Sequence, residues 1–477
     1  MTSIEFQPLI PLVTIAAASI IIMLSIAVKR SHLFVNLFSL VSLGSAFLSL
    51  FFVPGTTPAM IAPLIILDKF SFFFTGLILA ASFLIILFSF NYFKQQEGDR
   101  EEYYILLLIA TFGSSLLAAS INFMSFFLSL EIVSVSLYTL ISYLRTNKNA
   151  LEASVKYLIL ATTSAAFLLF GMALVYAGLG TMKFNDFAAR IAAPDTHIEL
   201  AIAGFSMMII GVGFKLGVVP FHLWTPDVYQ GASAPVTGFI ATVSKGGMFA
   251  FLLRLFISMD VYQYQALIHT FTIISAASML IGNLLAIRQN NVKRILAYSS
   301  ISHLGYVLVA FLAAGSMAVQ ASVFYFVAYF ISTLGAFGVI TLLSVKEHDA
   351  EDIEDYRGLF WSHPVVAAVF TAMLFSLAGI PLTVGFIGNY YLLAAGVNSS
   401  LWFLVVTMVV SSVIGLYYYL RIVTVMYSLA KEANEKLKRH TFTFCGGIAL
   451  TVLTSLLIWY GLFPKGILLV IKSIAGI

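Results

Sequence analysis

The stretch Gly238–Phe256 reads GFIATVSKGGMFAFLLRLF. About 20 residues of this kind are enough to cross a hydrocarbon layer as a helix. Lys245 stands near its middle, and at about 1.5 Å of rise per residue its ammonium is too deep to reach either interface by snorkelling. Runs of the same character fill the chain. Of 477 residues, 61% are hydrophobic and 10% charged, and the mean hydropathy is +1.01. A soluble domain is about 25% charged, and a folded surface in water needs polar cover that this chain does not have. The fold class is therefore all-α, as a polytopic membrane protein. The period-two alternation of a membrane β-barrel is absent.

Composition excludes several functions. The net charge is +4, with no basic patch suited to nucleic acid. One cysteine, Cys445, makes no disulfide framework and holds no iron–sulfur cluster. None of the eight histidines pairs with another at i, i+3 or i+4, which argues against haem. No redox cofactor, metal or soluble small-molecule ligand is expected in this chain. The start, MTSIEFQPLI, lacks the positive region of a cleavable signal. Lys29 and Arg30 follow the first apolar run at once, as in a retained first span.

Hydropathy and breaker residues predict about 14 spans, near 9–28, 33–53, 70–93, 103–120, 122–144, 152–178, 199–221, 236–258, 265–287, 295–315, 319–345, 364–395, 401–427 and 441–462. With the N-terminus outside, the inner loops carry 15 of the 25 basic residues and the outer segments four: Lys183, Arg190, Lys465 and Lys472. That bias follows the positive-inside rule and places both termini outside. Two spans look broken. GVGFKLGVVPFHLWTPDVYQGASAPV interrupts the seventh with Gly217, Pro220, Pro226 and Pro235. SLAGIPLTVGFIGNYY interrupts the twelfth with Gly379, Pro381, Gly385 and Gly388. Proline removes a donor and clashes with the preceding turn, and paired interruptions in two halves point to a transport site. Breaks five spans apart imply two five-helix repeats of opposite topology. NFMSFFLSLEIVSVSLY from Asn122 and NVKRILAYSSISHLGY from Asn291 also match faintly in polar placement. The expected organisation is an N-terminal three-helix segment (1–100), a first repeat (101–260), a second inverted repeat (261–430) and a C-terminal helix (431–477).

Three ionisable residues fall deep within spans: Glu131, Lys215, just before the first break, and Lys245. A charge at mid-bilayer costs about 2.5–3.5 kcal/mol even on the mildest scales. Such groups face a protein interior, pair with one another or line a water path. Burial disfavours the charged form of an amine, and a nearby carboxylate favours it. A Glu131–Lys215 pair that opens and closes would therefore release and recapture a proton, with Lys245 as receiver. His222, His303, Ser244, Ser299, Ser300 and Tyr298 are candidates to carry water wires. His303 reads equally as a packing hydrogen bond between helices. Lys69 and Lys156, near span ends, read as snorkelling side chains. Arg254 and Arg421 read as interfacial or ion-paired, and the tyrosines of LYYYLR as a membrane-interface belt. The acidic segment KEHDAEDIEDYRGLFW reads as a solvated turn or a docking surface, with the wrong spacing for an EF-hand.

FKLGVVPFHLWTPDVYQGASAPVTGFIATVSKGG, NVKRILAYSSISHLGY, EDYRGLFW and SLAGIPLTVGFIG together resemble the antiporter-like membrane subunits of bacterial NADH:quinone oxidoreductase, respiratory complex I. Within that group WTPDVYQGA is similar to the subunit N branch. The chain stops soon after its last span, where subunit L has a further lateral helix. The resemblance implies 14 helices in two inverted repeats and proton translocation driven by quinone reduction elsewhere in the complex. It implies roles for Glu131 as the acid of a key ion pair, Lys215 as its partner, Lys245 as the central proton carrier and Lys156 as a modulator. It further implies a bacterial inner-membrane location, neighbouring antiporter-like and other membrane-arm subunits, and NADH, flavin, iron–sulfur clusters and quinone held by partner subunits. One position departs. The family motif GFIGK reads GFIGN here, so a terminal lysine is replaced by Asn389, whose amide does not exchange a proton at neutral pH. The alternatives are an Mrp-type cation/proton antiporter subunit or membrane-hydrogenase homologue, which share the Glu–Lys–Lys pattern, and a non-pumping scaffold.

Overall fold

The computed structural model describes residues 7–53, 58–96, 98–145, 147–259, 262, 264–313, 315–345, 349–429 and 444–474. The inner-loop cations Lys346, Lys431, Lys436, Lys438 and Arg439 lie outside the described residues, as do residues 1–6. The elements in chain order are α1 (Ile10–Val28), α2 (His32–Ser49), the hairpin β1 (Ala59–Ile61) and β2 (Ile65–Leu67), α3 (Lys69–Gln95), α4 (Glu102–Ala119), α5 (Phe123–Ile141), α6 (Lys148–Leu179), α7 (Phe184–Ile191), α8 (Ile198–Leu216), α9 (Trp224–Gly231) and α10 (Ala234–Met259). Then follow α11 (Gln265–Ile287), α12 (Val292–Leu312), α13 (Ser316–Leu343), α14 (Leu359–Ser362), α15 (Pro364–Ala378), α16 (Val384–Asn398), α17 (Trp402–Tyr427), α18 (Phe444–Leu462) and α19 (Lys465–Ile474).

Among the described residues, thirteen helices are long and apolar enough to cross a membrane. They coincide with 13 of the sequence-predicted spans, and the chain is a multi-pass membrane protein. The twelfth expected span, 364–395, is two shorter helices, α15 and α16. The seventh ends at Leu216, and the backbone turns before α9 begins. Both interruptions start in one way. Gly217 (φ 74°, ψ 38°) and Gly379 (φ 75°, ψ 35°) adopt the left-handed conformation that ends a helix, and each amide donates back into the last turn. A side chain there would be strained.

The chain forms two compact units. The first comprises Met1–Phe83, Asp99–Gly217 and Val243–Leu267; the second comprises Leu84–Gly98, Val218–Thr242 and Ile268–Ile477. In the first, α6 lies along α8 with glycine against glycine. A Cβ on Gly171 would stand 2.6 Å from the Gly204 carbonyl, and one on Gly204 2.8 Å from the Val175 amide. Small residues let helices approach closely where lipid offers no hydrophobic drive. The amide side chain of Asn122 caps α5 by accepting from the Met124 amide. In the second unit Asn291 caps α12 by accepting from the Arg294 amide. The faint likeness between the two stretches therefore begins with one capping device.

In the acidic segment Asp352 and Glu354 are exposed, as expected of a solvated turn, but Asp349 departs from that state. Asp349 is turned inward, its side chain 10% exposed. Its Oδ2 accepts from Lys293 Nζ at 2.7 Å and from the Ala234 amide at 3.0 Å, and its Oδ1 accepts from the Tyr92 hydroxyl at 2.8 Å. Lys293 also donates to the Ala232 carbonyl at 3.0 Å. Beside them the Val292 and Ile353 amides bond to the Glu351 and Asn290 carbonyls, tying the segment to the start of α12. The carboxylate answers a buried lysine and the open amide at the head of α10, so its spacing reflects a partner rather than solvent.

Candidate functional site

In the first unit α5, α6 and α8 bring together Glu131, Ser134, Tyr138, Tyr157 and Lys215. Lys215 sits in the last turn of α8, 8% exposed. Its Nζ donates to Ser134 Oγ at 2.6 Å. The ammonium also lies 5.5 Å from the Tyr157 ring centroid and 5.9 Å from that of Phe214, within cation–π range. Ser134 in turn donates to the Leu130 carbonyl at 2.7 Å. Glu131 stands three residues before Ser134, on the neighbouring turn of α5. Among the described residues its buried Oε1 has no hydrogen-bond partner, and neither has the Tyr138 hydroxyl. The expected Glu131–Lys215 ion pair is open in this structure: the lysine rests on the serine.

Lys245 is 1% exposed. It follows a π-helical turn, Ile240–Ser244, within α10. Such turns leave backbone groups less tightly bound and recur at functional positions. Two residues on, Gly247 packs on α4, where a Cβ would stand 2.7 Å from the Ser114 carbonyl. The lysine-bearing part of α10 also packs on α8. Lys156 takes a different position. It pairs with Glu152 at 2.8 Å, one turn away on α6, and the two side chains are 47% and 65% exposed.

Ser244 ends the π turn in the first unit, and the second unit holds His222, Tyr298, Ser299, Ser300, His303 and Asn389. His303, on α12, is buried between two tyrosines: Nδ1 meets the Tyr325 hydroxyl and Nε2 the Tyr419 hydroxyl at 3.0 Å. Tyr419 also bonds Ser299, and the Tyr329 hydroxyl donates to Ser300 Oγ at 2.8 Å. Alongside, Asn283 Nδ2 donates to the Tyr306 hydroxyl at 2.9 Å and the Tyr418 hydroxyl donates to Asn283 Oδ1 at 2.8 Å. Tyr418 and Tyr419 are 1% exposed, which corrects their reading as an interface belt; of the three tyrosines in LYYYLR only Tyr417 lies outward, because consecutive residues turn by about 100° on a helix. Asn389, on α16, has its Oδ1 buried without a partner among the described residues, and its amide nitrogen lies against Gly379. His222 is buried in the turn after the first break, neither ring nitrogen bonded among the described residues. Sequence reasoning passed over Ser134 and the tyrosines. Tyr325 and Tyr329 at i, i+4 within an apolar helix were the available signal.

The two remaining intramembrane cations are answered. Arg254 makes a two-pronged bond to Asp68 at 2.8 and 2.9 Å and donates to the Ala118 carbonyl at 3.1 Å. Arg421 donates to the Gln289 carbonyl at 2.9 Å, beyond the end of α11, and bonds Asn290.

A membrane bundle with broken helices and ionisable side chains at the interruption defines a transporter-like subunit. The chain belongs to the NADH:quinone oxidoreductase/Mrp antiporter transmembrane family, which its residues 120–415 match. It is similar to a chain of respiratory complex I from Thermus thermophilus, at 31% identity with a TM-score of 0.82, covering 96% of this chain and 98% of that one. It is also similar to a chain of the membrane-bound sulfane sulfur reductase, an archaeal respiratory membrane complex (25% identity, TM-score 0.84, covering 99% and 97%). A chain of the Mrp complex from Dietzia sp. shares the fold at 20% identity, with a TM-score of 0.87 and coverage of 100% and 97%.

Proposed function

We propose that this chain is a proton-translocating, subunit N-like component of a bacterial NADH:quinone oxidoreductase. The observation that carries the reading is Lys215 and Lys245 buried and Glu131 half-buried, its Oε1 shielded, in membrane-crossing helices, with Lys215 beside a helix break and Lys245 beside a π turn. Buried ionisable groups of this kind are costly and mark ion or proton pathways. When Lys215 faces Glu131 the carboxylate favours its charged form. When the pair opens, that support is lost and the proton moves on toward Lys245. The energy comes from quinone reduction in partner subunits, which hold the NADH, flavin, iron–sulfur and quinone sites. The neighbours are other membrane-arm and antiporter-like subunits. The chain lies in the inner membrane with both termini on the periplasmic side, in two inverted five-helix repeats; the matching caps at Asn122 and Asn291 and the matching breaks at Gly217 and Gly379 support that arrangement. Lys156 modulates the pair from the outer face of α6. Beyond the first unit, His303 with Tyr325 and Tyr419 takes the relay role that Asn389 is chemically unfit to fill, and His222 orders water near the first break.

Two experiments test this. Affinity purification recovers flavin- and iron–sulfur-bearing subunits with the chain; isolation with small membrane subunits alone contradicts the reading. In vesicles holding the assembled complex, Glu131→Gln and Lys215→Ala slow proton transfer through this subunit by about a hundredfold, the lower end of what a proton-transfer group supplies, and NADH-driven proton uptake falls accordingly. Unchanged uptake in both contradicts it.

A further inference from the structure

Ser134 occupies a position that the pair mechanism leaves unassigned. It is fully buried on α5, one turn beyond Glu131, and it holds the Lys215 ammonium at 2.6 Å. Among the described residues the buried Oε1 of Glu131 lacks a donor. An acceptor of that kind is unfavourable when left unpaired. Side chains three apart on a helix are neighbours at about 5–6 Å, and the lysine has a flexible four-carbon stem. A single swing exchanges one acceptor for the other. The two acceptors differ in kind. An ionised carboxylate only accepts hydrogen bonds, so it holds an ammonium and has nothing to offer a neutral amine. A hydroxyl accepts and donates. Ser134 accepts from the charged lysine while giving its own proton to the Leu130 carbonyl. Rotating that O–H toward Nζ lets it hold the neutral amine as well, and the Leu130 carbonyl keeps its place within the helix ladder.

We propose that Ser134 is the second seat of Lys215, the positioning residue that receives its side chain when the Glu131 pair opens and holds it both before and after it gives up a proton. The proposal deepens the reading above and rests on it. No covalent bond changes at Ser134; the hydroxyl turns, and the proton that leaves Nζ passes onward through the site.

The test uses the assembled complex in vesicles. Proton uptake per electron transferred is measured for S134A, S134T and S134V. The last two share a shape and differ in the hydroxyl. S134A and S134V are expected to lose most of the uptake, at least fivefold, with the complex assembled, and S134T to keep uptake within about twofold of the unsubstituted protein, as a seat that needs only a hydroxyl requires. Equal uptake in S134T and S134V overturns the proposal, whether both are high or both are low, and so does unaltered uptake in S134A. If S134A does not assemble, the threonine–valine comparison decides alone. E131Q and K215A run beside them separate the two claims. If these abolish uptake while S134A does not, the second seat is wrong and the pair stands; if these leave uptake unaltered, the pair itself is wrong.

Discussion

Arg254 and Lys215 show how one environment yields two kinds of buried cation. A guanidinium does not titrate in a protein, and Arg254 is held by both Asp68 oxygens, a backbone carbonyl and the Phe70 ring at 4.6 Å. It is a fixed charge, and its work is structural. An amine does titrate, and Lys215 rests on a hydroxyl, with a carboxylate oxygen on the neighbouring turn that has no partner among the described residues. Burial alone would raise the Asp68 carboxyl; the Arg254 hydrogen bonds and charge, with the Ser71 amide and hydroxyl, outweigh it and hold the group below 3.8. A depressed carboxyl stabilises the fold above its unfolded value and loses that contribution as pH falls through the folded one. The solubilised protein should therefore lose stability below about pH 4. Arg254→Ala should cost about 3 kcal/mol at neutral pH by stranding Asp68, read from denaturant or thermal unfolding; an unchanged midpoint would show the pair to be dispensable. At this scale Glu131, Lys215 and Lys245 were legible because ionisable groups stand out in apolar runs. Ser134 was not, since serines back-bonded to the preceding turn are scattered through these helices, Ser39, Ser89 and Ser129 among them.

Among the elements, the spans were plain in hydropathy, and both interruptions were announced by glycine and proline. What fixes the elements against one another was not. The close approach of α6 and α8 depends on Gly171 and Gly204, which in sequence are two of 32 glycines. Gly204→Val should push α8, and Lys215 with it, away from α6, costing about 1–3 kcal/mol as overpacking; a thermal midpoint equal to that of the unsubstituted protein would contradict the packing. The π turn before Lys245 falls on IATVS, whose β-branched residues weaken helix propensity without specifying a π turn. Asp349 was misread because acidic neighbours in a loop suggest solvent, whereas its partners, Lys293, Ala234 and Tyr92, lie 56, 115 and 257 residues away. Asp349→Ala should cost about 3 kcal/mol, the low end for breaking a buried pair, because Glu351 stays 3.6 Å from the Lys293 ammonium and the Ala232 carbonyl still accepts from it, while replacing both by apolar residues of similar volume should cost far less. Unfolding of the single and double variants reads that difference directly.

For the whole molecule, chemistry is confined to side chains that the membrane makes expensive. The family and the multi-pass architecture were readable from motifs that run the length of the chain. The hydroxyl and imidazole network of the second unit was not, because tyrosine is at home at a membrane interface and within a protein interior alike. Under the proposed reading that network carries the proton exit in place of Asn389, so His303→Ala should reduce pumping more than Asn389→Ala, and the reverse order would return the role to α16. The most direct test of the central claim is proton translocation per electron in vesicles carrying the assembled complex with Lys245→Ala. If buried amines carry the protons, translocation through this subunit stops and the number of protons moved per electron falls. Translocation identical to that of the unsubstituted complex would make the chain a scaffold and contradict the proton-transfer reading outright.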